Sequence, residues 1–335
     1  MISSALVALY LFGGQIHPKT LVLLGGPLSQ QIAKSVPQAT TPVPFHVKVV
    51  LEQGGLISSA SVQQVLKANP DFVLLEPGFS AVGREWPTIR DRFVPSIEAN
   101  IETIRKAPSH PKVFVCLPPP VLLGSDDMRA KQLETEIVPL LKQAARETNC
   151  TILDFESALR ARLDLVDGMR PTEMGAQILA DTVADAVAVG RKANWRITYV
   201  DSQELDEGPA KNAIDGDVDT YWHTNYSTTS EHYPHELQID TGSVRTIGGF
   251  SYFPRQDGVN GRVAKYEFYV SMDGKSWGEP MAIGQFRRTS DLVKVFFEKP
   301  AQGRFIRFRA LSEQQGQIWA SVGELDILKF YPKRH

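Results

Sequence analysis

Ala210-Lys-Asn-Ala-Ile-Asp215-Gly216-Asp217-Val-Asp219-Thr220-Tyr221-Trp222-His223-Thr224-Asn225-Tyr226 is the stretch that decides how the second half of this 335-residue chain reads. An Asp-Gly turn dense in carboxylates runs straight into rings interleaved with polar residues, as at the start of a half-buried strand. Downstream the texture persists. Polar and apolar residues alternate, further turns come at Asp257-Gly258 and Asp273-Gly274, and aromatic residues are spread along the strands, which predicts an antiparallel sandwich. Upstream, from about Thr20 to Gly190, the texture differs. Lys19-Thr-Leu-Val-Leu-Leu-Gly-Gly26, His46-Val-Lys-Val-Val-Leu51, Asp71-Phe-Val-Leu-Leu75, Lys112-Val-Phe-Val-Cys-Leu117 and Thr151-Ile-Leu-Asp-Phe155 read as buried strands. They are separated by amphipathic segments such as Ser96–Arg105 and Glu134–Ala145. That alternation predicts a three-layer α/β domain with a parallel sheet, and a seam near residues 190–196.

Length agrees, since ~150 residues per domain gives about two domains. Basic and acidic residues nearly cancel, 36 against 38, so no long-range field draws the chain to nucleic acid or anionic lipid, and neither partner is expected. No 18-residue apolar run occurs, and no membrane span is expected. Cys116 and Cys150 lack the spaced partners of a zinc site and read as buried packing residues rather than a bridge. Residues 1–18 carry an apolar stretch of signal length with no Lys or Arg before Lys19, half of a secretory signal; the expectation is a secreted or periplasmic protein.

The blocks after residue 196 follow one another in a recognisable order. They are Asp215 to Tyr226, Leu237-Gln-Ile-Asp-Thr-Gly242, Arg255-Gln-Asp-Gly-Val-Asn260, Ser271-Met-Asp273-Gly274-Lys-Ser-Trp277, Arg304-Phe-Ile-Arg307 and the Glu324-Leu pair. In this succession residues 196–331 resemble the discoidin, or coagulation factor 5/8 type C, fold, and specifically the family 32 carbohydrate-binding modules, which are jelly-roll sandwiches. The resemblance implies a structural calcium held by Asp215, Asp217, Thr220 and Glu324, in part through backbone carbonyls. It also implies a site for galactose or N-acetylgalactosamine made by His223, Tyr226, Arg255 and Asn260, with Trp319 as a second ring. The chemistry suits a pyranose, whose C–H face wants a flat ring and whose hydroxyls want fixed charged or amide partners. Asp206 or Glu207 is the candidate acceptor, and Trp222, Trp277 and Phe250 read as core.

Residues 19–192 resemble the SGNH, or GDSL-type, hydrolases, whose fold is flavodoxin-like. Leu24-Gly25-Gly26-Pro27-Leu28-Ser29 lies at the family's Gly-Asp-Ser, Gly54-Gly55 follows the second strand, Glu76-Pro-Gly78-Phe79-Ser80 lies at its Gly-Thr-Asn-Asp, and Asp167-Gly-Met-Arg170-Pro lies at its Asp-x-x-His-Pro. Pro27 thus takes the nucleophile's position, Ser80 the oxyanion asparagine's and Arg170 the base's; only Asp167 matches. Proline has no hydroxyl and arginine stays protonated, and loss of nucleophile or base costs on the order of 10⁶ in turnover in a triad hydrolase. The sequence leaves two rescues. Ser29 could attack with Asp167 or Glu76 as base, or Asp167 and Glu76 could form an acid/base pair for glycosidic bonds, which needs carboxyls ~5–9 Å apart. The third alternative is a retired site in which Arg170 and Asp167 form an ion pair. The expectation is therefore a glycan-binding protein with a pseudo-hydrolase domain, or else a carbohydrate-active hydrolase using unconventional residues.

Overall fold

The computed structural model describes residues 18–332 apart from 41–42, 84, 124–126, 188–191, 193 and 230, and Ala81 by its backbone alone. The leader expected over residues 1–18 therefore lies, but for Pro18, outside the described residues. The chain forms two compact units that part after Val187.

The first unit is built on five parallel strands: β1 (Lys19–Gly25), β2 (Phe45–Leu51), β3 (Phe72–Glu76), β4 (Lys112–Leu117) and β5 (Thr151–Asp154). They lie in the order β2-β1-β3-β4-β5, with Leu24 opposite Val50 on one side and Leu75 on the other. This doubly wound order places its switch point between the carboxyl ends of β1 and β3. Leu21 to Leu24 and Phe72 to Leu75 are buried in succession, as a sheet covered on both faces requires. Alternation divides them. Val22, Leu24, Val73, Leu75, Val113 and Val115 pack against α3 (Ser59–Ala68), α4 (Trp86–Arg105) and α6 (Val138–Glu147). Leu23, Leu74, Cys116 and Glu76 point to the opposite face.

The other helices are α1 (Pro27–Ala33), α2 (Val36–Ala39), α5 (Met128–Gln132), α7 (Phe155–Arg160) and α8 (Glu173–Val187). Before α8 comes a small hairpin, β6 (Val166–Asp167) with β7 (Arg170–Pro171). Pro27 heads α1 at the first helical position, where its missing N–H costs nothing. Cys116 and Cys150 are free thiols; Cys116 is buried, but Cys150 is only half-buried, against Arg105 Nη2 at 3.2 Å. Among the described residues no helix is long and apolar enough to cross a membrane.

The second unit is all β. Its main sheet holds β8 (Arg196–Val200), β10 (His235–Phe253), β11 (Lys265–Ser271), β12 (Ala282–Gln285), β13 (Val293–Ala310) and β15 (Glu324–Leu328). A separate pair joins β9 (Trp222–His223) to β14 (Ser321–Val322). β10 and β13 run side by side, but their register shifts between Asp240 and Arg245 and again between Ile247 and Gly249. Such irregularities bend a strand, so one end of β10 takes β8 as its outer neighbour and the other takes β15. Aromatic residues fill the space between, with Phe250 stacked on Phe268 at 4.2 Å, and Trp222 fully buried. Trp277, expected in the core, is instead half-buried at the rim, where the Arg307 guanidinium lies 4.9 Å from its ring. Phe250→Ala should lower the unfolding free energy by about 3–5 kcal/mol in a urea titration; a loss below about 1 kcal/mol would contradict this packing.

Candidate functional site

One cavity of about 300 Å³ in the β unit is lined by Glu207, Tyr221, His223, Tyr226, Arg255, Asn260 and Trp319. Its back wall is set by β9. Trp222 faces the core and donates its indole N–H to the Ser202 carbonyl at 2.9 Å, so alternation turns His223 the other way. His223 N donates to Gly208 O at 3.0 Å, and a Cβ on Gly208 would stand 2.7 Å from the His223 Cβ; only glycine lets the chains approach so closely. The His223 Nδ1 lies 2.7 Å from the Thr224 carbonyl. Since a carbonyl only accepts, Nδ1 carries the proton and Nε2 is left as an acceptor. Burial pushes the imidazole below its usual value, with Arg255 adding to that effect, so it is neutral near pH 7.

Tyr226 is the exposed ring, with 43% of its surface open, and it stands edge-on to His223 at 5.2 Å. Its backbone N–H and that of Ser227 donate to Glu204, which fixes the turn; its hydroxyl donates to Glu207, which pushes the phenol up to about 12. Trp319 closes the other side, 6.4 Å from His223, with its indole nitrogen buried and without a partner.

Arg255 is held in one plane from two directions. Nε and Nη2 donate to the two Asp257 carboxylate oxygens at 2.8 and 2.9 Å, and the guanidinium lies 3.9 Å over the Tyr221 ring. Asn260 sits at the next turn, exposed. Gly261 behind it has φ +77°, and a Cβ there would meet Ser321 N at 2.8 Å, so glycine pins this turn to β14. The cavity thus offers a flat apolar ring, a cation, an amide, a carboxylate and an imidazole acceptor around a space suited to one small ligand. All five residues named for a sugar line it, and of Asp206 and Glu207 only Glu207 does. Tyr221 was missed; two residues before His223 on the same chain face, it was accessible to period-two reasoning.

Residues 197–325 match the F5/8 type C domain family. They are an F5/8 type C domain. Over 140 residues the chain is 41% identical to the sialidase of Micromonospora viridifaciens, covering 41% of this chain and 21% of that enzyme. It is 37% identical over 139 residues to the galactose oxidase of Gibberella zeae, covering 41% of this chain and 20% of that enzyme. A family 32 module from Clostridium perfringens, solved in complex with GalNAc-β-1,3-galactose, is 31% identical, covers 41% of this chain and 97% of its own, and superposes with a TM-score of 0.38. The matched stretch spans about a fifth of the two enzymes.

Elsewhere in the type C domain, the residues expected around calcium gather at one loop. Asp215 accepts from Asp217 N at 2.8 Å and from the Thr220 hydroxyl at 2.9 Å; Glu324 accepts from Gly216 N and from the Lys192 ammonium. These hard oxygens suit calcium in kind but not in arrangement. Glu324 already holds a cation, and among the described residues no three acidic, cysteine or histidine side chains converge on one point.

In the α/β unit, Ser29 and Glu76 meet at the ends of β1 and β3. Ser29 Oγ donates to Glu76 Oε2 at 2.6 Å and Ser29 N to the same oxygen at 3.0 Å. Both are buried, and Glu76 Oε1 has no partner. A Cβ on Gly25 would stand 2.6 Å from the Glu76 Cβ, so the carboxyl packs directly on the β1 backbone. Asp167 and Arg170 face each other across the β6–β7 hairpin, yet both side chains are exposed and no ion pair joins them, contrary to expectation. Glu76 is bonded to Ser29, not to Asp167.

Burial raises the Glu76 carboxyl to about 7 in spite of the two Ser29 bonds. The unfolded chain releases this proton first. Stability should therefore fall by about 3 kcal/mol as pH rises from about 4.5 to about 7. The buried Cys116 thiol beside it stays protonated throughout, raised by burial and by Glu76. Glu76→Gln should remove most of that slope, read from urea unfolding of the full chain across this range. An unchanged slope would show that Glu76 is not buried as described.

Proposed function

We propose that this chain binds terminal galactose or N-acetylgalactosamine of glycans in the type C domain cavity. Tyr226 stacks on the sugar's C–H face, Arg255 and Asn260 donate to its hydroxyls, and His223 Nε2 and Glu207 accept from them. One observation carries this reading: residues far apart in sequence line a single small cavity whose donors, acceptors and ring match a pyranose. The name of the galactose oxidase relative points to the same sugar type. A place outside the cytoplasm, where such glycans are met, goes with it.

A site of this size predicts a dissociation constant of about 1 mM, about −4 kcal/mol, for a methyl galactoside. In isothermal titration Arg255→Ala should weaken it by tenfold or more, the loss of charge-assisted bonds of about 1.5–3 kcal/mol, while Asp206→Ala should not. Equal binding by Arg255→Ala would remove the site. Because His223 titrates below the usual imidazole value of 6.5, affinity should hold from alkaline pH down past that value and weaken only beneath it, where Nε2 gains a proton. A decline already complete at 6.5 would contradict the assignment.

For the first unit we propose a retired hydrolase of SGNH type. Pro27 has a helix-starting role, Ser29 is held by Glu76 Oε2 out of solvent, and Arg170 is exposed. No turnover of acetylated or glycosidic oligosaccharides is expected; turnover abolished by Glu76→Gln, Ser29→Ala or Asp167→Asn would establish the alternative, a carbohydrate-active hydrolase. A calcium ion at the Asp215–Thr220 loop enters as a structural proposal alone, supported by the gathering of hard oxygens, and it requires Lys192 to leave Glu324. Chelation should then lower the melting temperature; an unchanged value would leave Lys192 as the loop's cation.

A further inference from the structure

Beside the sugar cavity lies a second groove of about 220 Å³, lined by Val259, Arg262, Arg288, Thr289, Gln314 and Gln315. The two share a wall. Within the single turn 259–262, Asn260 lines the cavity, while Val259 and Arg262 line the groove. Arg262 also ties them together, donating from Nε and Nη2 to the Arg255 carbonyl at 3.2 and 3.0 Å.

The groove's charge is one-sided. Arg288 Nη2 donates to the Gln314 carbonyl at 2.7 Å and Arg262 to that of Arg255, so each guanidinium meets a neutral acceptor, and among the described residues neither has a carboxylate partner. The acids nearby are engaged elsewhere. Asp291 pairs with Arg287, and Glu313 is buried, with Oε2 accepting from the Gln315 and Gln317 N–H groups and Oε1 bonded to neither arginine. Two guanidiniums on one small groove repel unless an anion lies between them, and a planar fork suits carboxylate or sulfate oxygens. Val259, 45% exposed, adds an apolar edge for a ring face.

We propose that the groove is a subsite for an anionic sugar, bearing a carboxylate or a sulfate ester, linked to the residue held in the neighbouring cavity. Arg288 and Arg262 take the anion, and the Thr289 hydroxyl and Gln315 amide are placed to bond its ring hydroxyls. The type C domain then recognises an acidic disaccharide rather than a lone neutral sugar, and two adjoining contacts raise the affinity that one weak pocket supplies. This inference rests on sugar binding in the first cavity.

Titration of the full chain with three probes tests it: a neutral galactose-containing disaccharide, its counterpart with a hexuronate as the second residue, and its counterpart with a sulfated second residue, each over a panel of linkages. At low salt at least one acidic probe should bind about five- to tenfold tighter than the neutral one, with the gain shrinking as salt rises. Whether the uronate, the sulfate or both show the gain identifies the anion. Arg288→Gln should abolish the gain and leave the neutral probe's affinity unchanged; Arg262 is unsuitable because it also holds the Arg255 backbone. Acidic probes that bind no tighter than the neutral one, or an Arg288→Gln loss equal for all three, would overturn the subsite while leaving the first cavity intact. Failure of the neutral probe to bind would overturn the sugar cavity itself, and the subsite with it.

Discussion

The two-residue pairing of Trp222–His223 with Ser321–Val322 is the constraint on which the cavity of the type C domain depends. Across it Trp222 is driven into the aromatic core and anchored through Ser202, and period-two geometry leaves His223 no choice but the opposite face. The same short ladder brings residue 319 of the neighbouring segment alongside, so that Trp319 and the 223–226 turn become adjacent walls. Thr224 reinforces it, donating its N–H to Ala320 O and accepting from Ala320 N. The hydrophobic burial of one indole thereby fixes the direction of a polar group that lines the cavity.

A second constraint acts on the polar side chains. Arg255 is locked by Asp257 and Tyr221, and Tyr226 by Glu207, before any ligand arrives. Preorganised donors lose little rotamer freedom on binding, which matters most for a small ligand with few contacts. The α/β unit shows the opposite use of polar groups. There Ser29 is bonded to one buried oxygen of Glu76 while the other has no partner, at the sheet position where doubly wound proteins usually place their ligands.

Much of this was legible in the sequence. The five parallel strands appeared as short apolar runs, within a residue or two of their bounds, because a sheet buried on both faces must be apolar throughout. The residues that line the cavity could be singled out because a Trp-His-Thr-x-Tyr run and an Arg-x-x-x-x-Asn run carry chemistry of unlike kinds at fixed spacing. Period-two spacing from His223 could have placed Tyr221 on the cavity side, but its role as a platform under Arg255 depends on a long-range contact. Trp277 was misjudged for a related reason: ring type predicts burial only on average, and Arg307 holds this one at the rim. The Asp167–Arg170 pair failed because sequence spacing fixes the hairpin register but not the rotamers of exposed side chains.

Two-dimensional NMR of the five tryptophan indole N–H signals during a galactose titration tests the central claim most directly. The Trp319 signal should move in a saturable way, while that of Trp222, sealed in the core behind the same strand pair, stays in place. A titration in which Trp319 is unmoved, or in which the rim residue Trp277 shifts instead, would contradict the account.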